Sequence, residues 1–321
     1  MTADDWLDTL CSQPADSRTP DPKPLSQAEL STALDYFAIP EPDRAPLAAT
    51  LPDPKRTPEL WDALIHCRRA LFATAGMPTS DQWPHAPAEL GEAGRYFYVH
   101  VCLLSLHDAL VPRRERGIPD EVNRATFADL GAKMTTYRLA HGTGGFDRQT
   151  WIVRHLRGTL HRLGRLQFEL RTYDSASWEA DGPPADGPGE GAPVLDVHIA
   201  ADGPLTPAAC EDSLAAARPF MGRHHPEHAA EFATCHSWLL DPALRDHLKP
   251  DANILAFQRL FTPHGDLPVC DEDVLEFVFH TRPGTTSTQG LPRANSLQRA
   301  LLDHLDSGGH WHMGRGWLRL P

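Results

Sequence analysis

The sequence has no long apolar run. Its most apolar stretch, Tyr96 to Leu106, is interrupted by His100 and Ser105, well short of the roughly 20 residues that cross a bilayer. Membrane spanning is therefore not expected. The opening MTADDWLDTL is acidic and carries neither the basic start nor the apolar core of a secretory signal. Positive charge is scarce: 30 Lys and Arg stand against 43 Asp and Glu, for a net charge of −13. Only four of the 30 are lysines, at 23, 55, 133 and 249. That balance excludes general nucleic-acid binding, which needs a basic face to neutralise phosphates. No C-x-x-C pair exists. The six cysteines (Cys11, Cys67, Cys102, Cys210, Cys235, Cys270) are far apart and read as free thiols of a reducing compartment. A cytoplasmic location is expected.

What is present fits a globular protein of two domains. The 321 residues are 41% apolar and 23% charged, at about 150 residues per domain. Proline is abundant, 30 residues, against an ordinary share of about 5%. Residues 1–160 read as successive helices. Ser26 and Glu29 form a capping-box pattern, with Leu25 and Leu30 at staple positions. Thr57-Pro58 starts a second helix, continued by Leu60, Trp61, Leu64, Leu71 and Phe72 at helical spacing. Further helices are expected near 93–110, 120–140 and 147–160, with a Gly-rich turn at 142–145 before the last. A DNA-reading helix-turn-helix near 26–37 is disfavoured. Asp21, Glu29, Asp35, Glu41 and Asp43 outnumber Lys23 and Arg44 there.

Beyond residue 160 the pattern changes to strands. Arg165–Arg171 and Val194–Ile199 alternate polar and apolar residues. Between them, residues 174–193 are rich in Gly, Pro and acid, the composition of a mobile excursion. A helix near 207–221 follows, then a strand at 234–240, a helix near 252–261, a strand at 274–279, a helix near 294–306 and a last strand at 310–320. The expected class is α+β: a helical domain, 1–160, before a mixed sheet flanked by helices, 161–321.

The junction after Val194–Ile199 suggests a ligand site. In Ala201-Asp202-Gly203-Pro204-Leu205-Thr206-Pro207, Thr206 is a good N-cap and Pro207 a good first helical residue. Backbone N–H groups there point along a helix axis and attract anions such as a pyrophosphate. An ordinary capped helix has the same signature, and Asp202 opposes an anion.

This strand, turn and helix resemble the acyl-CoA site of the GCN5-related N-acetyltransferase (GNAT) fold. Asn253-Ile254-Leu255-Ala256 resembles the start of that fold's next helix. The whole chain is more closely similar to bacterial two-domain acyltransferases with a helical N-terminal domain. Gly117–Asp120, Thr126–Gly131, His155–Gly158, Leu163–Glu169, Leu195–Ile199, Cys235–Pro242 and His310–His312 carry that likeness. It implies an acyl-CoA co-substrate, no permanently bound cofactor, a small-molecule amine acceptor, and a helical half serving as acceptor pocket or lid. His198, Ile199, Gly203, Leu205, Thr206 and Asn253 would hold the donor. Two departures stand out. The glycine-rich phosphate loop is missing, which points to Thr206 or nearby arginines instead. The usual tyrosine acid falls at Leu260 or Phe261, neither of which donates a proton.

Acylating an amine requires removing its proton, stabilising an oxyanion and protonating the thiolate. His236 is the first base candidate, since imidazole titrates near neutrality. Ser237 is its alternative on the neighbouring position, which faces the other side of the strand. The same rule separates Cys235 from His236 and excludes a nucleophile–base pair. Glu169 is a second base, acting through water. No metal is expected: His224-His225-Pro226-Glu227-His228 lacks H-E-x-x-H spacing, and His310-Trp311-His312 offers no third ligand. The two departures also suit a non-catalytic sensor of a CoA thioester, or a thioester hydrolase using the same cleft.

Overall fold

The computed structural model describes residues 1–15, 21–73, 79–180 and 182–321. It divides into two compact units, Met1–Leu160 and His161–Pro321.

The first unit is helical: α1 (Ala3–Cys11), α2 (Gln27–Tyr36), α3 (Glu41–Thr50), α4 (Pro58–Leu71), α5 (Gly91–Glu115), α6 (Asp120–Phe127), α7 (Asp129–His141) and α8 (Gln149–Arg157). The capping box at α2 forms in both directions, with Glu29 N–H donating to Ser26 Oγ and Ser26 N–H to Glu29 Oε2 at 2.8 Å. The apolar run Tyr96–Leu106 is buried along its whole length in α5, as the central helix of the unit's core. Its interrupting His100 bonds through Nε2 to the Leu47 carbonyl at 3.1 Å, so a buried polar ring is satisfied on one side.

The stretch expected as one helix over 120–140 breaks at Ala128 into α6 and α7. Close backbone packing marks the start of α7. Gly131 donates its N–H to Phe37 O at 3.1 Å, and a Cβ there would lie 2.0 Å from Ala38 O. Asp129 accepts from Trp151 Nε1 at 2.7 Å and lies 3.2 Å from His155 Nε2. Burial opposes the Asp129 charge, yet His155, Lys133 and Trp151 outweigh it and hold the carboxyl well below its usual range.

The second unit holds a six-stranded sheet in the order β1-β2-β3-β4-β6-β5. Along the chain these are β1 (Leu160–Leu163), β2 (Leu166–Thr172), β3 (Pro193–Ile199), α9 (Pro207–His224), β4 (Phe232–Ser237), α10 (Leu244–His247), α11 (Asn253–Gln258), β5 (Thr262–Pro263), α12 (Asp271–Phe279), α13 (Ser296–Asp306) and β6 (Gly314–Arg319). The sheet is mixed: β3 runs parallel to β4, and the β2–β3, β4–β6 and β5–β6 pairs are antiparallel.

The expected strand at 274–279 is instead helix α12. Val and Phe favour strands, but Asp271, Glu272 and Asp273 complement the helix N-terminus. Val274, Leu275 and Phe279 are buried while Phe277 is exposed, a helical and not an alternating pattern. The helix expected to run to residue 160 stops at Arg157, and β1 and β5 are additional strands.

The sheet has two unlike faces. Phe168, Leu195, Val197, Ala233 and Cys235 are fully buried on one. α9 packs against β2 through its stripe of Cys210, Ser213, Leu214, Ala217 and Met221. Alternation places Glu169, Asp196, His198, Thr234 and His236 on the other face. Residues 174–180 and 182–192 fold back over that face. Tyr173 and Trp178 join Val194 and Phe232 in a small apolar cluster, and Gly191 N–H donates to Tyr173 O at 2.9 Å. Of the segment expected to be mobile, Asp181 lies outside the described residues.

Candidate active site

The parallel ladder between β3 and β4 is short. It pairs Val194, Leu195 and Asp196 with Phe232, Ala233 and Thr234. Both strands run three residues further, to Ile199 and Ser237, without continuing the ladder. Backbone groups of Val197, His198 and Ile199 on that edge are therefore not consumed by β4, whereas their other edge is held by β2. A chain carrying amides can bond such an edge as a strand would.

Beside this opening lies a group of ionisable side chains. His198 Nε2 is 3.0 Å from Glu169 Oε2 and 3.6 Å from Asp196 Oδ2. Asp196 Oδ1 accepts from Thr234 Oγ1 at 2.9 Å, and Arg171 Nη1 stands 3.7 Å from Glu169 Oε1. Glu169 is buried, while His198 keeps 22% of its side-chain surface. A half-exposed imidazole held by a buried carboxylate is the arrangement of an oriented proton acceptor. Glu169, Asp196 and His198 form the only group of three or more potential metal ligands close together among the described residues. The two histidine-rich stretches form no such group. His310 Nδ1 bonds Asp271 at 2.7 Å, and Asp241 accepts the His312 N–H at 2.6 Å.

His236 sits on the same face. Its Nε2 is buried with no hydrogen-bond partner among the described residues. Its ring meets Trp178 edge-on at 4.7 Å. Burial pulls its pKa below the ordinary value, only partly offset by Asp196. Ser237 is not brought to this group. Its hydroxyl accepts from Leu239 N–H at 3.2 Å and caps the 3-10 turn Trp238–Leu240.

Of the residues expected to hold the donor, Gly203, Leu205 and Thr206 lie in the turn that follows β3. Gly203 has φ +76°, a turn conformation that glycine adopts freely. Leu205 is buried, and Thr206 caps α9 by accepting from Ala209 N–H at 3.4 Å. Asn253 is exposed as the first residue of α11. The loop is held by arginines from the β1–β2 hairpin. Arg165 donates to the carbonyls of Ala200, Gly203 and Pro204 at 3.0, 2.9 and 3.1 Å. Arg162 pairs with Asp202 at 2.8 Å, which offsets the acid that opposed an anion here. A trans peptide directs its N–H opposite its C=O. The amides of Ala201 and Leu205 therefore point away from the guanidinium.

Asp196, Thr234, Arg162, Arg165 and Trp178 were not singled out in the sequence. Asp196 had a signal: it alternates with His198 on one strand face. Arg165 had none, because its role depends on the loop that folds around it.

Comparison with known proteins accords with this geometry. Residues 28–158 match the N-acyltransferase N-terminal domain, and residues 160–318 match the GNAT-like C-terminal domain. A solved acyltransferase bound to decanoyl-CoA and teicoplanin superposes with a TM-score of 0.85 at 37% identity, covering 98% of this chain and 93% of that one. The chain belongs to the two-domain GNAT-like acyltransferases. Another acyltransferase, in complex with decanoyl-CoA, is 31% identical over 100% of both chains, with a TM-score of 0.85. A mutant acyltransferase with octanoyl-CoA is 36% identical over 98% of this chain and 93% of its own, again at 0.85. The curated proteins yield no match. No helix among the described residues of this acyltransferase is long and apolar enough to cross a membrane.

Proposed function

We propose that this acyltransferase moves a medium-length acyl group from its CoA thioester to the amine of a small molecule. The observation that carries the reading is the early end of the β3–β4 ladder beside the Glu169–His198 pair. The unpaired edge of Val197–Ile199 suits the amides of a pantetheine arm. The 201–206 turn, backed by Arg162 and Arg165, suits the diphosphate. The acyl carbon then lies toward Glu169, Asp196 and His236.

The chemistry is direct attack. The ammonium loses one proton to water; the amine nitrogen bonds to the acyl carbon, an imidazole takes the second nitrogen proton, and the C–S bond breaks. The proton held by the ring is the one the departing thiolate needs, so no tyrosine acid is required. His198, oriented by Glu169, suits this role best. His236, with Nε2 unpartnered among the described residues, is the second base. Asp196 helps to orient the ring, and Ser237 is structural in this reading. The helical unit is assigned to acceptor recognition, and residues 161–321 to the donor. A cytoplasmic location suits six free cysteines.

Similar proteins are solved with octanoyl- and decanoyl-CoA, and one also with teicoplanin. The test therefore offers decanoyl-CoA with amines that include glycopeptides. The expected result is thiol release that depends on the amine, with one decanoyl group added to it by mass. Binding of decanoyl-CoA also raises the melting temperature, because the ligand binds only the folded form. Binding without turnover would favour a sensor, thiol release without acceptor a hydrolase, and no binding at millimolar concentration would end the donor assignment.

A further inference from the structure

The same sheet face that carries Glu169, Asp196 and His236 is roofed at one end by a strap of residues 173–180 and 182–192. Among the described residues of that strap, only Tyr173, Trp178 and Pro188 are buried. Trp178 is 3% exposed. It packs with Tyr173 at 5.2 Å and His264 at 6.0 Å, and its edge contact with His236 is the strap's approach to the reacting face. Polar tethers add to this packing, among them the Arg315–Glu179 ion pair at 3.4 Å and the bond from Tyr173 N–H to Ala192 O at 2.8 Å. Arg315 Nη1 donates to Trp178 O at 2.9 Å, and His264 Nε2 bonds Gly182 O at 3.0 Å. Directly after Trp178, Glu179 adopts φ +48°, a left-handed conformation that costs a non-glycine residue about 1 kcal/mol or more.

Three buried polar atoms under and beside this roof have no partner among the described residues: His236 Nε2, Tyr173 Oη and Trp317 Nε1. Orphaned buried groups are uncommon and call for a reason. Here all three residues border Trp178 or the apolar cluster it joins.

We propose that Trp178 is a positioning residue that keeps water from His236 and the acyl carbon. This rests on the acyl-transfer reading above. Without the cover, water is the competing nucleophile. Its oxygen bonds to the acyl carbon, the C–S bond breaks, and one water proton ends on the thiolate. The products are a free fatty acid and CoA thiol.

The full-length chain is compared with Trp178→Ala, Trp178→Phe and Arg315→Gln. Two readouts are used: thiol release from decanoyl-CoA without amine relative to amine-dependent transfer, and carbethoxylation of His236 followed by peptide mass spectrometry. Trp178→Ala is expected to raise the hydrolysis-to-transfer ratio and the His236 labelling rate by about fivefold or more. Trp178→Phe should restore both, and Arg315→Gln should shift both in the direction of Trp178→Ala. A wild-type His236 labelled as fast as a solvent-exposed histidine overturns the cover, as does a folded Trp178→Ala with both readouts unchanged. If Trp178→Ala does not fold, unchanged readouts in Arg315→Gln overturn it. The labelling arm needs no substrate, so failure of the cover is distinguished from failure of the acyl-transfer reading, which wild-type decanoyl-CoA binding and turnover decide.

Discussion

Glu169 and His198 meet across two strands, two residues out of register. Glu169 stands opposite Asp196, and His198 stands opposite Gln167, yet the imidazole reaches diagonally to the carboxylate at 3.0 Å. Same-face diagonal neighbours on adjacent strands are within reach of long side chains. The consequence is a ring fixed by a group that is itself buried, at the place where β3 loses its β4 partner. In the proposed reaction, donor edge and proton acceptor thus come from the same three residues of one strand.

Glu169→Gln tests that relationship. The amide keeps an acceptor oxygen for His198 but removes the negative charge. Turnover with decanoyl-CoA and an accepted amine is expected to fall about 10- to 100-fold, the range for a lost acid–base contribution. Decanoyl-CoA affinity is expected to stay within about twofold, because the donor edge is main chain. Steady-state kinetics and titration calorimetry separate the two. A variant with full turnover would remove the pair from the proton path.

Arg165 should matter for binding and not for chemistry. It gathers three carbonyls of the 200–204 turn with one planar guanidinium. Arg165→Lys keeps the charge but loses the fork, and an ammonium cannot span the same three acceptors. We expect both Arg165→Lys and Arg165→Ala to weaken CoA binding about tenfold, as loss of one to two kcal/mol of hydrogen bonding would. The turnover number at saturating donor should change little. If Arg165→Lys binds CoA as wild type does, the turn does not depend on the fork.

Much of this arrangement could be read from the residues, for local reasons. Ser26 with Glu29, and Thr206 with Pro207, are helix starts whose signals lie within four positions. β2 alternates apolar and polar residue types, although its polar Gln167 and Glu169 are buried as well. The misreadings come from places where tertiary packing decides. Val274–Phe279 has strand propensity, but burial of Val274, Leu275 and Phe279 together requires a helix. β1 has only four residues, Leu160–Leu163, too few for alternation to show. His236, Glu169 and His198 were visible as residue types in strand positions. Their pairing was not, because register is a cross-strand property. Trp178 was hidden for a different reason: it is one of few buried residues in a stretch whose composition is that of open coil.

The helical unit should carry a pH dependence of its own. His100 is wholly buried in α5, its Nδ1 has no partner among the described residues, and burial lowers its pKa to about 4 despite the Leu47 carbonyl. In the unfolded chain a histidine titrates near 6.5. Between these values the unfolded chain binds a proton that the folded chain refuses. Stability is therefore complete above about pH 6.5 and declines as pH falls toward about 4. The slope gives a loss of roughly 2 kcal/mol between pH 7.5 and pH 5 from this residue. His100→Gln keeps a donor for Leu47 O and cannot titrate. Urea melts at the two pH values should show the variant losing less stability than wild type by about that amount. Parallel losses in both proteins would mean that His100 is not the group that charges.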